Sequence, residues 1–328
     1  MPPEKSRLAE YWDKPVSELV RLDVEVSAAQ QERHQIFLLL LMALVDEYWN
    51  GFKKGRKGHY PLNDPTEDRA SPYEYKGHNI AAIAVDRRGR VLDFGFNHNK
   101  LFNSSAEHAE ARLVRRVFSL AHIADVYEEI ETEAPEAQRR SEYDTLSEVT
   151  IYTSLESCAQ CAGMMALGNV KQVVYLQSDP GMYKIGNILR NLSERMPRAP
   201  LPISAAQVGF AEFQTALEEA YGEFARRVAT VPFWQPPPEE PTAKSDHDAA
   251  ISSFLCTLGA RELFRRGHER FRDLVASPTT LSHPDECSHD RDGRLVTGSL
   301  TNVGALENAA RFYEYAITNG RRGTPHGI

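Results

Sequence analysis

The chain has 328 residues, 41% of them hydrophobic, enough to bury a full core with more than one folding unit. Its formal net charge of -8 at pH 7 gives no overall attraction to a phosphate backbone, so a nucleic acid partner is not favoured without a local basic patch. Four cysteines are too few for a disulfide scaffold at this length and fit a reducing, cytoplasmic setting.

The first residues, Met-Pro-Pro-Glu-Lys, lack the basic, apolar and small-residue layout of a secretory signal. No segment reaches the roughly 20 apolar residues that span a bilayer, so no membrane partner is expected. Residues 1–27 read as an N-terminal extension. From Ala28 to about Asn50 the pattern is helical, with Gly51 as its stop, and the run Ile36 to Val45 reads as a buried helix. Lys53, Lys54, Arg56 and Lys57 form the best candidate for a basic patch, with a solvated helix end as the simpler reading.

A polar loop covers Gly55 to Lys76. His78 to Asp86 and Val91 to Phe96 read as the strands of a hairpin turning at Arg87-Arg88-Gly89-Arg90. His108 opens a helix running to about Tyr127, and residues 128–148 form an acidic insert. Glu148 to Ser154 is the next strand, followed by a helix that begins at two cysteines. Lys171 to Gln177 is a strand buried on both faces, Ile185 to Arg195 a helix, Leu201 to Val208 a strand and Phe210 to Val228 a long amphipathic helix. This alternation predicts an α/β fold, a mixed sheet sandwiched by helices, over residues 28–231. The proline-rich stretch in 232–245 reads as a linker. Residues 246–328 read as a small, mainly helical C-terminal domain, with helices over Ala249 to Val275 and Asn302 to Thr318.

His108-Ala109-Glu110 and Cys158-Ala159-Gln160-Cys161 together carry chemistry. One imidazole and two thiolates fill three positions of a tetrahedral Zn2+ site and leave the fourth open for water, while the nearby Glu110 can carry protons without being a ligand. At helix starts, unpaired N–H groups and the dipole favour thiolates, and a three-residue spacing puts both sulfurs on one face. The order H-x-E then C-x-x-C is the signature of zinc-dependent nucleobase deaminases.

Around these residues the chain resembles the cytidine deaminase superfamily, in its branch of tRNA adenosine and guanine deaminases. Gly95-Phe96-Asn97 precedes the His-Ala-Glu, the stretch from Thr153 to Met164 is similar to the family's T-L-E-P-C-x-x-C-A-G-M, and Ser178-Asp179-Pro180 is similar to its loop after the next strand. The resemblance implies a three-layer α/β/α fold with a mixed five-stranded sheet. It further implies zinc on His108, Cys158 and Cys161, proton transfer at Glu110, and substrate contacts at Asn97 and Asp179. Family members often dimerise, so a homodimer is a possible state. Ser157 stands where the family has proline; a serine there can cap the helix.

The expected activity is hydrolytic deamination of an amino-substituted nucleobase, as a free base, nucleoside or nucleotide. Two alternatives stand beside it: editing of a base in tRNA or single-stranded nucleic acid, and a non-catalytic zinc-binding interaction module. A redox role for Cys158 and Cys161 is disfavoured by the His-Ala-Glu that accompanies them. His283, Cys287 and His289 fit no common zinc spacing. Tyr73 and Tyr75 read as sheet-edge residues ahead of base-stacking ones, and His98 and Asn99 as solvated loop residues ahead of pocket ones.

Overall fold

The computed structural model describes residues 26–54, 58–62, 75–119, 146–180, 189, 200–240, 242–290 and 294–319. Its first helix, α1 (Ala28–Glu47), begins at a capping box in which the Ser27 hydroxyl accepts from the Gln30 N–H and the Gln30 side chain accepts from the Ser27 N–H, both at 3.3 Å. Every residue from Ile36 to Val45 is buried. A helix that is apolar all round must be covered on all sides; the sheet covers one side of α1 and C-terminal helices another.

The sheet has five strands, β1 (Ala81–Val85), β2 (Val91–Phe96), β3 (Thr150–Thr153), β4 (Gln172–Tyr175) and β5 (Leu201–Ser204), in the order β2-β1-β3-β4-β5. β1 is antiparallel to β2 and β3, while β3, β4 and β5 run parallel, so the sheet is mixed. Its register aligns Phe94, Ile83, Tyr152, Val174 and Ile203 in one row. Because side chains alternate between faces, this row shares one face. That face meets α1: the Phe37 ring lies 5.2 Å from Tyr152, and Tyr48, at the end of α1, stacks 6.2 Å from Phe94.

A short helix, α2 (Asn99–Phe102), follows β2, and helix α3 (109–119) then lies on the opposite face of the sheet. Gly95 permits the approach, since a Cβ there would stand 2.7 Å from the Ala109 carbonyl oxygen. Arg116 anchors it, its Nε donating to the buried Asp93 carboxylate at 2.7 Å. After β3 comes α4 (Ala159–Leu167), and after β5 a 3-10 turn (Ala205–Val208) leads to α5 (Ala211–Val228). The expected strand to Val208 therefore stops at Ser204, whose backbone N–H and hydroxyl both bond the Gln207 side chain and turn the chain. The expected helix over 185–195 and the acidic insert lie outside the described residues apart from Leu189 and residues 146–148.

The C-terminal region contains α6 (Ile251–Phe254), α7 (Leu258–Ala276) and α8 (Asn302–Asn319). The single helix expected from Ala249 breaks at Thr257, whose side chain caps α7 by accepting from the Ala260 N–H. The proline-rich stretch is anchored here: Phe233 and Trp234 are buried, and Gln235 exchanges backbone hydrogen bonds with His59 at 2.8 and 2.9 Å. Arg33 of α1 donates to the Asn302 side chain at 2.9 Å and to the Glu286 and Leu300 carbonyls at 2.8 and 2.6 Å. His268 of α7 bonds Asp46 of α1 and Tyr313 of α8, both at 2.8 Å. No helix among the described residues is long and apolar enough to cross a membrane.

Candidate active site and metal centre

His108 sits immediately before α3, and Cys158 is the N-cap of α4. The Gln160 amide ties these two helix starts together by donating to the Ala106 carbonyl at 2.9 Å. His108 Nδ1 lies 3.2 Å from Cys158 Sγ and 3.6 Å from Cys161 Sγ, and the donor atoms of the three residues all lie within 4.8 Å of one another. One imidazole and two sulfurs at that separation suit a single metal ion.

The thiols are unequal. The hydrogen bond from Cys161 brings the Cys158 thiol down to about 4 against the opposing effect of burial, and His108 lowers it further. Donating that bond, together with burial, pushes Cys161 up. The Cys158 contact likewise raises His108. These contacts favour the anionic form of Cys158 over that of Cys161.

Glu110, in the first turn of α3, is buried, and burial raises its carboxyl above the usual carboxylate range. Ser157 Oγ donates to Glu110 Oε1 at 3.1 Å, and Cys161 Sγ donates to Oε2 at 3.6 Å. The expectation that Ser157 caps the helix is therefore corrected: Cys158 holds the cap position, without a side-chain cap bond, and the Ser157 hydroxyl goes to Glu110. The Ser157 hydroxyl, in the loop that leads to the cysteines, thus holds one carboxylate oxygen of Glu110.

His108, Glu110 and Cys158 line a cavity of about 480 Å³ together with Asn97 and Asp179, and Cys161 is fully buried beside it. That volume lies in the range of small-molecule sites, about 300–1,000 Å³. Asn97 Oδ1 accepts from the His78 and Asn99 N–H groups, both at 3.1 Å, so its NH2 is the end it can offer the pocket. The Asp179 N–H donates to the Glu156 carboxylate at 3.1 Å. His98 is buried, not solvated, because it caps α2 beneath the loop where its N–H bonds the Glu107 carbonyl at 2.9 Å. Tyr75 bonds His78 Nδ1 at 2.8 Å, and Tyr73 lies outside the described residues. Among the described residues, His283, Cys287 and His289 do not form a metal-binding group.

Sequence reasoning missed several lining residues: His78, Glu156, Tyr221 and the stretch 248–252. Burial lowers the His78 ring to about 4, so it is neutral near pH 7. No local pattern marks Tyr221 or 248–252, since they reach the pocket only through packing of α5 and the C-terminal region.

Residues 66–196 match the model of the MafB19-like deaminase family. This segment is similar to a deaminase family. No curated protein matches the chain. Among solved structures, one from a study of A-to-I editing by tRNA:A34 deaminases at the transfer RNA wobble position is 23% identical, covering 38% of this chain and 82% of that one, with a TM-score of 0.27. A guanine deaminase from Nitrosomonas europaea is 14% identical, covering 58% of this chain and 93% of that one, with a TM-score of 0.30. The deaminase segment contains all six residues singled out by their motifs, Asn97, His108, Glu110, Cys158, Cys161 and Asp179.

Proposed function

We propose that the protein is a zinc-dependent hydrolytic deaminase acting on an amino-substituted nucleobase, presented as a free base, nucleoside or nucleotide. The observation that carries this reading is the convergence of His108, Cys158 and Cys161 within 4.8 Å beside a buried carboxyl, at a cavity sized for a small molecule. The donor set fits zinc, for it offers one imidazole and two sulfurs within 4.8 Å of one another. His108, Cys158 and Cys161 hold the ion. When bound, zinc supplies Lewis acidity that lets water act as a nucleophile near neutral pH.

The chain's own residues do the rest. Glu110 takes one proton from the attacking water and gives it to the ring nitrogen as the O–C bond forms, then takes the second from the added hydroxyl and gives it to the amine, which leaves as ammonia when the C–N bond breaks; the role suits a carboxyl raised by burial. Ser157 holds that carboxyl in one orientation. The Asn97 amide donates to the substrate, and Asp179 accepts from it. Asn97 and Glu110 are buried, which limits competition from bulk water for their bonds.

The test is ammonia release from a panel of free bases, nucleosides and nucleotides by the intact protein. Metal analysis accompanies it: the intact protein is expected to carry one zinc per chain, and Cys158→Ala to lose it. A full metal complement in Cys158→Ala contradicts the ligand assignment.

A further inference from the structure

The pocket has a wall from outside its deaminase segment: residues 248–252, with Tyr221 of α5, line the same cavity as His108 and Glu110. Several bonds tether this stretch. The Asp248 carboxylate accepts from Lys53 Nζ at 2.8 Å and from Ser253 Oγ at 2.8 Å. The Tyr221 hydroxyl donates to the Ala249 carbonyl at 3.0 Å, and His247 Nδ1 donates to the Val228 carbonyl at 2.8 Å. Lys54 pairs with Asp246 at 3.0 Å.

These tethers bear on which substrates can enter. Lys53 and Lys54 are the described members of the basic run that could have met a phosphate backbone, and carboxylates of the C-terminal region engage both. The wall also brings Asp248 to a cavity lined by Glu110, Glu156 and Asp179. Binding of a strand depends on cations that neutralise its phosphates, and an extruded base needs room for its backbone to run on in both directions. A wall tethered by the very cations that could meet a phosphate backbone opposes both requirements.

Resting on the deaminase reading above, we propose that residues 248–252 are the specificity wall of the pocket and restrict it to an unlinked base or nucleoside, shutting out a base that is part of a nucleic acid strand. Ala249 is exposed and lines the cavity, so a larger side chain there takes volume from the pocket without being forced into the core. The full-length chain is tested with Ala249→Trp and with Tyr221→Phe, which removes one tether and keeps the ring. Adenosine, guanosine, cytidine and their bases are the probes, beside a single-stranded oligonucleotide containing the same bases.

Ala249→Trp is expected to raise KM for the preferred nucleoside about tenfold with kcat changed by less than about twofold, and Tyr221→Phe to raise KM about threefold. Calorimetric Kd values in a Glu110→Gln background, where turnover is removed, should rise by the same factors with zinc content and melting temperature unchanged. The intact protein should convert the oligonucleotide at less than about a hundredth of the nucleoside rate. Unchanged KM and Kd in Ala249→Trp, or oligonucleotide conversion equal to that of the nucleoside, would overturn the proposal. Where Ala249→Trp fails to fold, Tyr221→Phe decides the same point. An intact protein that releases ammonia from nothing overturns the deaminase reading instead, while the Kd comparison still reports on the wall.

Discussion

At the scale of single residues, Ser157 and His34 show how burial sets the behaviour of a polar group. Ser157 donates to Glu110 at 3.1 Å in a buried setting, where hydrogen bonds to charged groups contribute about 1.5–3 kcal/mol. Ser157→Ala should therefore lower kcat about tenfold or more, leave KM and zinc content unchanged, and be rescued in large part by Ser157→Thr. A kcat unchanged in Ser157→Ala would show that Glu110 needs no such partner. His34 is buried against α1's neighbours, hydrogen-bonded to the Tyr152 hydroxyl at 2.8 Å, and burial lowers its ring from 6.5 to about 3. The unfolded chain thus takes up a proton at this position first as pH falls. The stability His34 contributes is present in full above about pH 6.5 and is lost toward pH 3, by up to about 1.4 kcal/mol per pH unit. His34→Gln should flatten the dependence of melting temperature on pH across that window; an unchanged slope would show that the ring titrates normally.

At the scale of elements, α1 and α7 meet at a glycine. Gly267 lies inside a helix of 19 residues, where glycine costs about 1 kcal/mol relative to alanine. The close contact explains its presence, for a Cβ there would stand 2.5 Å from the Met42 sulfur and methyl carbon. Met42 is fully buried, and its own Cβ would stand 2.8 Å from the added carbon, a contact that no change of rotamer relieves. Overpacking should win over propensity, so Gly267→Ala is expected to lower stability by about 1–3 kcal/mol in a denaturant titration. A stabilised variant would mean that the helices can part cheaply. The same elements show what periodicity can and cannot reveal. Val91 to Phe96 is a strand over the residues expected, because its ends are marked by turn residues. The break at Thr257 is not legible, since a cap inside a helical pattern acts only when packing bends the chain there.

At the scale of the whole molecule, one core joins α1, the sheet and the C-terminal helices. The proposed zinc ligands His108, Cys158 and Cys161 and the proposed proton carrier Glu110 stand out in the sequence because such chemistry needs those residue types at fixed spacings on helix starts, and the fold brings the three ligand candidates within 4.8 Å of one another. The pocket wall is not, because Tyr221 and 248–252 reach the cavity through tertiary packing, and Lys53 and Lys54 carry no local sign that their partners are Asp248 and Asp246. Ser157 illustrates the same limit on a shorter path: its type suggests a cap, and only the fold turns its hydroxyl to Glu110. On the proposed reading, the molecule holds a metal with three side chains and moves protons with a fourth. Ammonia release by the intact protein and by Glu110→Ala, each assayed for zinc, tests it most directly. The variant should keep its zinc while its rate falls about a hundredfold or more; equal rates, or loss of zinc with Glu110, would contradict the division of roles.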